Sequence, residues 1–231
     1  MRRLLRWTWH AFLLALCVLT VVQFWFLVNI WYWADHDPES TAFMRSRLSI
    51  IRADEPGARL AQRWVPYARI SPHLKQAVIA AEDANFMSHW GFDWEAMRRA
   101  RERNVREGEI MAGASTISQQ LAKNLFLPST RAWWRKAQEA VITVMLEALL
   151  TKRRILEIYL NVVEWGDGVY GAEAAARYHY GVPAAALSAE QAARLAAMLP
   201  SPRSYNPRSD TLYLRERTAD LLSHMHFARI P

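Results

Sequence analysis

Two neighbouring carboxyl side chains, Glu82 and Asp83, follow the apolar run Ala77–Ala81. The run has the spacing of a helix, so the pair is predicted to stand near a helix end. A carboxylate beside apolar surface can act as a general base, because burial adjusts its pKa. The alternative is a helix end whose acids face water, and the pair alone would favour it. The residues downstream favour chemistry instead.

Between positions 115 and 136 the chain carries hydroxyl, amide and cationic side chains. Thr116 with Gln119 is a capping-box pattern, which predicts a helix N-terminus. The free N–H groups and positive dipole end of such a terminus attract anions, and nearby cations would hold a phosphate and stabilise it as a leaving group. From spacing alone a basic solvated face explains the cations equally well. The candidates are Ser115, Thr116, Gln119, Gln120, Asn124, Lys123, Arg131, Arg135 and Lys136.

Other binding and catalytic motifs are missing or lack their structural context. The string Gly166–Gly171 fits G-x-G-x-x-G, but a helical period precedes it where a dinucleotide site requires a strand. We therefore predict that these glycines form a tight turn between two helices. Neither Ser-x-x-Lys nor His-Glu-x-x-His nor paired Cys occurs, so acyl transfer and a zinc site are unsupported. His89 is predicted to be a hydrogen-bonded core residue.

Periodicity predicts a mainly α domain, since no segment keeps a period of two. The predicted helices cover Ser71–Asn85, Trp94–Arg106, Thr116–Pro128, Ala132–Val163 with a break at Thr151, Ala172–Tyr180, Ser188–Leu199 and Leu212–Phe227. Two apolar stripes are predicted in the longest region, one before and one after Thr151. The first is Val141, Val144, Met145, Ala148 and Leu149, and the second is Ile155, Leu156, Tyr159, Leu160 and Val163. Residues 35–69 show no clear period, and Asn104–Ala112 is predicted to be a mobile loop.

The N-terminal segment is predicted to anchor the chain in a membrane. Residues 7–33 carry no acidic, Lys or Arg side chain, and about twenty apolar helical residues cross the hydrocarbon layer. Arg2, Arg3 and Arg6 place the N-terminus in the cytoplasm by the positive-inside rule. A cleaved signal peptide is not expected, because no small-x-small site follows the apolar run. A lipoprotein signal is not expected either, because no small residue precedes Cys17.

The charge balance excludes few partners. The net charge is +7, and without the three N-terminal arginines 26 basic residues face 22 acidic ones. A mildly basic domain outside a membrane suits anionic lipid or phosphate partners, although a solvated surface is the usual meaning of such an excess. Nucleic acid is not expected there. Cys17 is the only cysteine, so no intrachain disulfide forms.

Five motifs, in family order over about residues 64–225, resemble those of the peptidoglycan glycosyltransferases of family 51. They are Glu82-Asp83-x-x-Phe86-x-x-His89-x-Gly91-x-Asp93, Gly113-x-Ser115-Thr116-Ile117-x-Gln119-Gln120-Leu121-x-Lys123-Asn124, Arg135-Lys136-x-x-Glu139, Lys152-x-x-Ile155-Leu156-Glu157-x-Tyr159-Leu160-Asn161 and Arg217-x-x-x-Leu221-Leu222-x-x-Met225. The family includes the glycosyltransferase domain of class A penicillin-binding proteins. Each motif alone is weak, but together they are specific. Arg154 departs from the pattern, because this position is acidic in some members.

The resemblance implies a lysozyme-like, mainly α glycosyltransferase domain at 70–231. A connector at 35–69 and an anchor with a cytoplasmic tip at 1–34 precede it. Such enzymes polymerise lipid II on the outer, periplasmic face of the bacterial inner membrane during cell wall synthesis. The donor is the growing glycan on undecaprenyl pyrophosphate, and the 4-hydroxyl of the lipid II GlcNAc is the acceptor. Other cell wall synthases or the division machinery are expected partners.

The resemblance also implies roles for the candidate residues. Glu82 would be the general base, with its pKa rise from burial offset by cations. Lys123, Arg131, Arg135 and Lys136 would stabilise the pyrophosphate, with Mg²⁺ or Mn²⁺ as an optional cofactor and no organic cofactor. The other catalytic acid, Glu139, would position those cations or bind the metal, whereas spacing alone allows an ordinary i,i+4 pair with Arg135. Ser115, Thr116, Gln119, Gln120 and Asn124 would line the donor site.

Two alternatives stay open. A lytic glycosidase would use the same fold and a single Glu as an acid, but it has no pyrophosphate for the cations to stabilise. A non-catalytic membrane scaffold would tolerate replacement of Glu82 and Lys123.

Overall fold

Capping residues begin several helices at the positions that the sequence predicts. Thr116 and Ser188 each form a complete capping box, with Gln119 and Gln191 respectively. The Thr151 hydroxyl accepts the Arg154 N–H and separates two helices of the long helical region. Each cap satisfies backbone N–H groups that a helix cannot pair internally, so these starts are set by local chemistry.

The computed structural model describes residues 2–108, 113–128 and 134–231. Helices dominate this part of the chain, which confirms the mainly α class. The α-helices are α1 (Arg2–Tyr32), α2 (Ala42–Asp54), α3 (Pro72–Glu82), α4 (Trp94–Glu107), α5 (Ile117–Phe126), α6 (Trp134–Leu149), α7 (Lys152–Val162), α8 (Ala172–Tyr180), α9 (Ala189–Met198) and α10 (Leu212–His224). Short 3₁₀ helices lie at Tyr67–Arg69, Phe86–Ser88, Ala184–Ala186 and Met225–Phe227.

A small sheet replaces the predicted turn between α7 and α8. Its strands are β1 (Ala61–Gln62), β2 (Glu164–Gly166) and β3 (Val169–Tyr170), in the order β1-β3-β2. β2 and β3 are antiparallel, and β1 is parallel to β3. The glycine string therefore forms a β-hairpin with its own strand pairing, and the prediction of a simple interhelical turn was wrong.

Two other predictions need correction. Residues 35–69 include α2, which begins at the cap residue Thr41 and buries Met44 against the domain, although the segment shows no clear period. α4 continues through Glu107, so the first part of the predicted loop is helical. Positions 109–112 of that loop lie outside the described residues.

The core joins two groups of helices. α3 packs against α9 and α10, while α5 packs against α6 and α7. Trp165, Tyr159 and Phe86 are fully buried between these groups. Both carboxyl residues at the end of α3 therefore lie where the two groups meet.

α6 buries a different face from the predicted stripe. Val141 and Val144 are exposed, whereas Glu139, Thr143 and Glu147 are buried one turn apart. This buried polar line faces α5 at Ser118, whose hydroxyl donates to Glu147. The apolar residues of α6 thus lie on two sides of the helix, and one side remains uncovered.

α1 is docked on the domain at its C-terminal end. Residues Arg6–Tyr32 are long and apolar enough to cross a membrane, and most of them are exposed, which is compatible with a single-pass anchor. Arg154 donates to the carbonyls of Trp33 at 2.8 Å and His36 at 2.6 Å and pairs with Asp37 at 2.9 Å. Arg154, the residue that departs from the family pattern, therefore holds the segment that follows α1. It does so by donating to carbonyl groups that have no partner within the helix.

We predict that Gly171→Ala destabilises the fold by about 1–3 kcal/mol, the usual range for a strained backbone conformation. Gly171 has φ +83°, and an added Cβ would lie 2.6 Å from the Asn161 carbonyl oxygen. The measurement is urea unfolding of the full chain in detergent. Gly57→Ala is the matched control, since nothing lies within 4 Å of its Cβ position and it is expected to change stability little. Equal effects of the two changes would contradict the argument.

Candidate active site

An open cleft in two compartments separates α4 from the start of α5. The compartment of about 310 Å³ contains Glu82, and the one of about 600 Å³ contains Lys136. Ala100, Ala114 and Ser115 line both compartments. A carboxylate and an ammonium group therefore face one continuous space that opens to solvent.

Glu82 is the last residue of α3, and a chain of hydrogen bonds holds its carboxylate. The Gln120 amide donates to Glu82 Oε2 at 2.7 Å, and the Tyr159 hydroxyl donates to Gln120 Oε1 at 3.0 Å. Tyr159 is fully buried, so the orientation of the Gln120 amide is fixed. Glu82 is thus presented to the cleft in one orientation, as a general base requires.

Burial raises the pKa of Glu82 above its usual value of 4.5. The Gln120 hydrogen bond and the positive charges of Arg217 and Lys123 act in the opposite direction, and Asp83 adds to the rise. The prediction that cations offset the effect of burial is therefore correct in direction only, because the net shift stays upward. A carboxylate with a raised pKa is a stronger base once it is ionised.

Asp83 has a separate structural role that the sequence did not reveal. It is buried, and its Oδ1 accepts a hydrogen bond from His89 Nε2 at 2.8 Å. Its Oδ2 accepts the backbone N–H of Ile117, the first residue of α5, at 3.0 Å. A negative charge at a helix N-terminus is stabilising. Asp83 therefore fixes α3 against α5, and His89 is the hydrogen-bonded buried residue that the sequence predicts.

The hydroxyl of Thr116 also joins the first two motifs. It donates to the Gly91 carbonyl at 2.7 Å and accepts the Gln119 N–H at 3.2 Å. The Gln119 side-chain oxygen accepts the Thr116 N–H. Thr116 therefore caps α5, contacts Gly91 and lines the compartment of Glu82, while Gln119 caps α5 and lines the larger compartment.

The cations group around Lys123. Burial lowers the pKa of Lys123, and Glu139 is the largest opposing influence. Arg135 and Lys136 lower this pKa further, which indicates three like charges near one another. Such a cluster favours the binding of a polyanionic ligand, because the ligand would relieve the repulsion between the cations.

Glu139 is buried and forms an ion pair with Lys136, three residues earlier on α6. Glu139 therefore orients a cation of the cleft. An Arg135 N–H donates to the Pro128 carbonyl at 2.8 Å. Arg131 lies outside the described residues, and Asn124 is buried on α5 away from the lining of both compartments.

Arginines of α4 also line the cleft, although nothing in their spacing along the sequence marks them as site residues. Arg99 and Arg103 on α4 line the compartment of Glu82, and Arg101 lines the other. Arg217 on α10 donates to the Ala81 carbonyl at 3.2 Å. Arg217 occurs in the fifth motif, and its position beside Glu82 depends on a contact between residues 136 positions apart.

The described residues do not offer a ready metal site. None of their His, Cys, Asp and Glu side chains form a group of three that could hold an ion. Glu139, the acid nearest the cations, is already paired with Lys136. We therefore derive no chemical step through a metal.

We predict that Glu82→Gln increases stability at pH 8 and leaves it nearly unchanged at pH 4. Since the native pKa of Glu82 is raised, ionisation costs more in the folded than in the unfolded chain. This cost is absent below the unfolded pKa and appears as the pH rises through the native one. Thermal unfolding at both pH values is the measurement, at about 2–4 °C in Tm per kcal/mol.

Glu102→Gln, on an exposed side chain of α4, is the control and should change Tm equally little at both pH values. A Glu82→Gln protein that is less stable than wild type at pH 8 would contradict the assignment of a buried, costly charge.

Comparisons with known proteins agree with this geometry. Residues 50–226 match the family described as "Transglycosylase". The chain is 54% identical over 226 residues, 98% of both chains, to the "Biosynthetic peptidoglycan transglycosylase" of Nitrosospira multiformis. It is 53% identical over the full length of both chains to the protein of the same name from Azoarcus sp.. The protein of that name from Chromobacterium violaceum is 53% identical over 90% of this chain and 91% of its own. The matched region contains the whole cleft, and the chain belongs to the transglycosylase family.

Proposed function

We propose that the protein polymerises lipid II into glycan strands for the bacterial cell wall. The names of the relatives give peptidoglycan as the product class, and the motifs resemble those of family 51. The observation that carries the proposal is one cleft with an oriented, partly buried glutamate and a cluster of cations in and beside it. The first suits removal of a proton from a hydroxyl, and the second suits a departing pyrophosphate.

In this mechanism Glu82 takes the proton of the 4-hydroxyl of the lipid II GlcNAc. The oxygen then attacks C1 of the MurNAc at the reducing end of the growing glycan, on the face opposite the pyrophosphate. The bond from C1 to the pyrophosphate oxygen breaks, so the α linkage becomes a β-1,4 bond with inversion. The electron pair of that bond leaves with undecaprenyl pyrophosphate, and the proton stays on Glu82 until solvent removes it.

The cations receive the negative charge that develops on the leaving group. Lys136 on α6 and Arg101 on α4 line the larger compartment, and Lys123 on α5 is close enough to Lys136 for their charges to interact. Arg131 and Arg135 are assigned to the same role by the resemblance.

The cleft also separates this proposal from its alternatives. A lytic glycosidase protonates a sugar oxygen and has no phosphate to stabilise, so the Lys123 cluster would be a cost without a use. A scaffold would gain nothing from a destabilising charge at Glu82. Both arguments favour the synthase.

We further propose that α1 holds the domain on the outer face of the inner membrane, with the N-terminus in the cytoplasm. The basic residues before the span support this orientation. Both substrates are lipid-linked, so a membrane anchor raises their effective concentration at the cleft.

The deciding experiment is polymerisation of labelled lipid II by the full chain in detergent with Mg²⁺. We expect lysozyme-digestible glycan from wild type and a loss of at least about 100-fold with Glu82→Gln, the contribution of a general base. Glu102→Gln should retain full activity. Cleavage of preformed glycan without synthesis would establish the lytic alternative, and inactivity in both assays would leave the scaffold.

We also predict that Gln120→Met moves the acid limb of kcat/KM to higher pH. The change removes a hydrogen bond that lowers the pKa of Glu82, so a larger fraction of the base is protonated at pH 6. The measurement is the pH profile of kcat/KM between pH 5 and 9. Gln76→Met, on the same helix as Glu82, should leave the limb unchanged. An unshifted limb with Gln120→Met would mean that Glu82 is not the group that titrates.

A further inference from the structure

The C-terminal part of α1 is packed against the catalytic domain as part of its core. Phe26 and Ile30 are buried, and the rings of Trp25, Phe26 and Trp33 surround Phe126 at the end of α5 with centroid distances of 5.8, 4.9 and 5.2 Å. These contacts fix α1 beside the domain. Apolar contacts are not directional, however, so they do not by themselves fix the rotation of α1 or its height along the domain.

A pair of amides adds a directional contact. Gln23 Nε2 donates to Gln138 Oε1 at 2.9 Å, and Gln138 Nε2 donates to Gln23 Oε1 at 3.0 Å. Gln23 lies within the apolar span of α1, where an unpaired amide would be costly. The two hydrogen bonds need one rotation of each helix and one relative height, so this contact has a single geometry.

The other polar side chains of this part of α1 do not reach the domain. The Thr20 hydroxyl donates to the Leu16 carbonyl at 2.9 Å, and the Asn29 amide donates to the Trp25 carbonyl at 2.7 Å. Both bonds are internal to α1. Between Thr20 and Asn29, Gln23 is thus the polar residue that joins α1 to another described element.

Gln138 stands between two residues of the cleft. Lys136 is two positions earlier on α6, and Glu139 follows directly. Both side chains depend on the rotation of α6 for their place, since Glu139 is buried and Lys136 lines the larger compartment. The first turns of α6 carry the exposed residues Trp134 and Val141, so few apolar contacts hold this end of the helix to the domain.

We propose that the Gln23–Gln138 pair is a positioning contact through which the membrane helix sets the rotation of α6 and thereby the place of Lys136 and Glu139. Gln23 and Gln138 act through these residues and do not touch substrate. The inference rests on the proposed function for the claim that Lys136 and Glu139 serve the pyrophosphate. In this proposal α1 not only anchors the domain but also helps to arrange the donor site.

The test uses the full chain in liposomes with lipid II and compares Gln23→Leu, Gln138→Leu and the double variant with wild type. We expect each variant to raise the KM for lipid II about 3- to 10-fold, the range for the loss of a hydrogen bond. A smaller fraction of folded enzyme would lower kcat and leave KM unchanged. The double variant should match the single ones, because all three remove the same contact.

Thr20→Val is the matched control, since it removes a polar group from α1 that bonds only within the helix, and it should leave KM unchanged. An unchanged KM in the glutamine variants, or a double variant whose effect is the product of the two single effects, would overturn the inference.

A second readout does not depend on activity. Amide hydrogen exchange in liposomes should become faster in peptides from the first half of α6 in both glutamine variants, and stay unchanged in α9 and in Thr20→Val. Unchanged exchange in α6 would overturn the inference whether or not the enzyme polymerises lipid II. Faster exchange in α6 together with an inactive wild type would instead support the contact and reject the proposed function.

Discussion

The carboxylate of Asp83 is the contact on which the cleft depends. It binds the first N–H of α5 and the ring of His89, so the end of α3 and the start of α5 cannot move apart. This contact brings Gln120, one turn into α5, to the neighbouring Glu82. The two adjacent acids therefore divide the work. Both carboxylate oxygens of Asp83 accept hydrogen bonds, so Asp83 stabilises the structure. The free-energy cost of burying the charge of Glu82 is only partly offset, so this carboxylate is available for chemistry.

The charged form of a second residue, Lys123, is also destabilised by its surroundings. Lys123 has a lowered pKa because it is buried and close to Arg135 and Lys136, while Glu139 compensates in part. In the proposed mechanism a substrate relieves both costs, because it gives a proton to Glu82 and a negative charge to the cations. Preorganised groups of this kind need little rearrangement during the reaction, which is the main source of electrostatic catalysis.

Local chemistry allowed much of this to be predicted. Caps such as Thr116 and Ser188 act within four residues, and the helices that they begin were correctly placed. α2 and the β2–β3 hairpin were missed because tertiary contacts define them: α2 has no clear period, and strands of two or three residues are too short to show one. The role of Asp83 and the position of Arg217 depend on contacts between distant residues, and a single sequence does not contain that information. On α6 the apolar residues occupy two faces, so periodicity chose a stripe of which Val141 and Val144 are exposed and Met145 and Leu149 are only partly buried.

The seat of α1 on Phe126 has a consequence for the chain without its first helix. Phe26 and Ile30 belong to the same apolar core as Leu125 and Leu146, so their removal would uncover aromatic and aliphatic surface that water cannot solvate favourably. Val141 and Val144 on α6 are exposed even with α1 in place. The truncated domain would therefore expose apolar surface, which favours self-association or detergent binding. Deletion of α1 is therefore not expected to give a soluble domain.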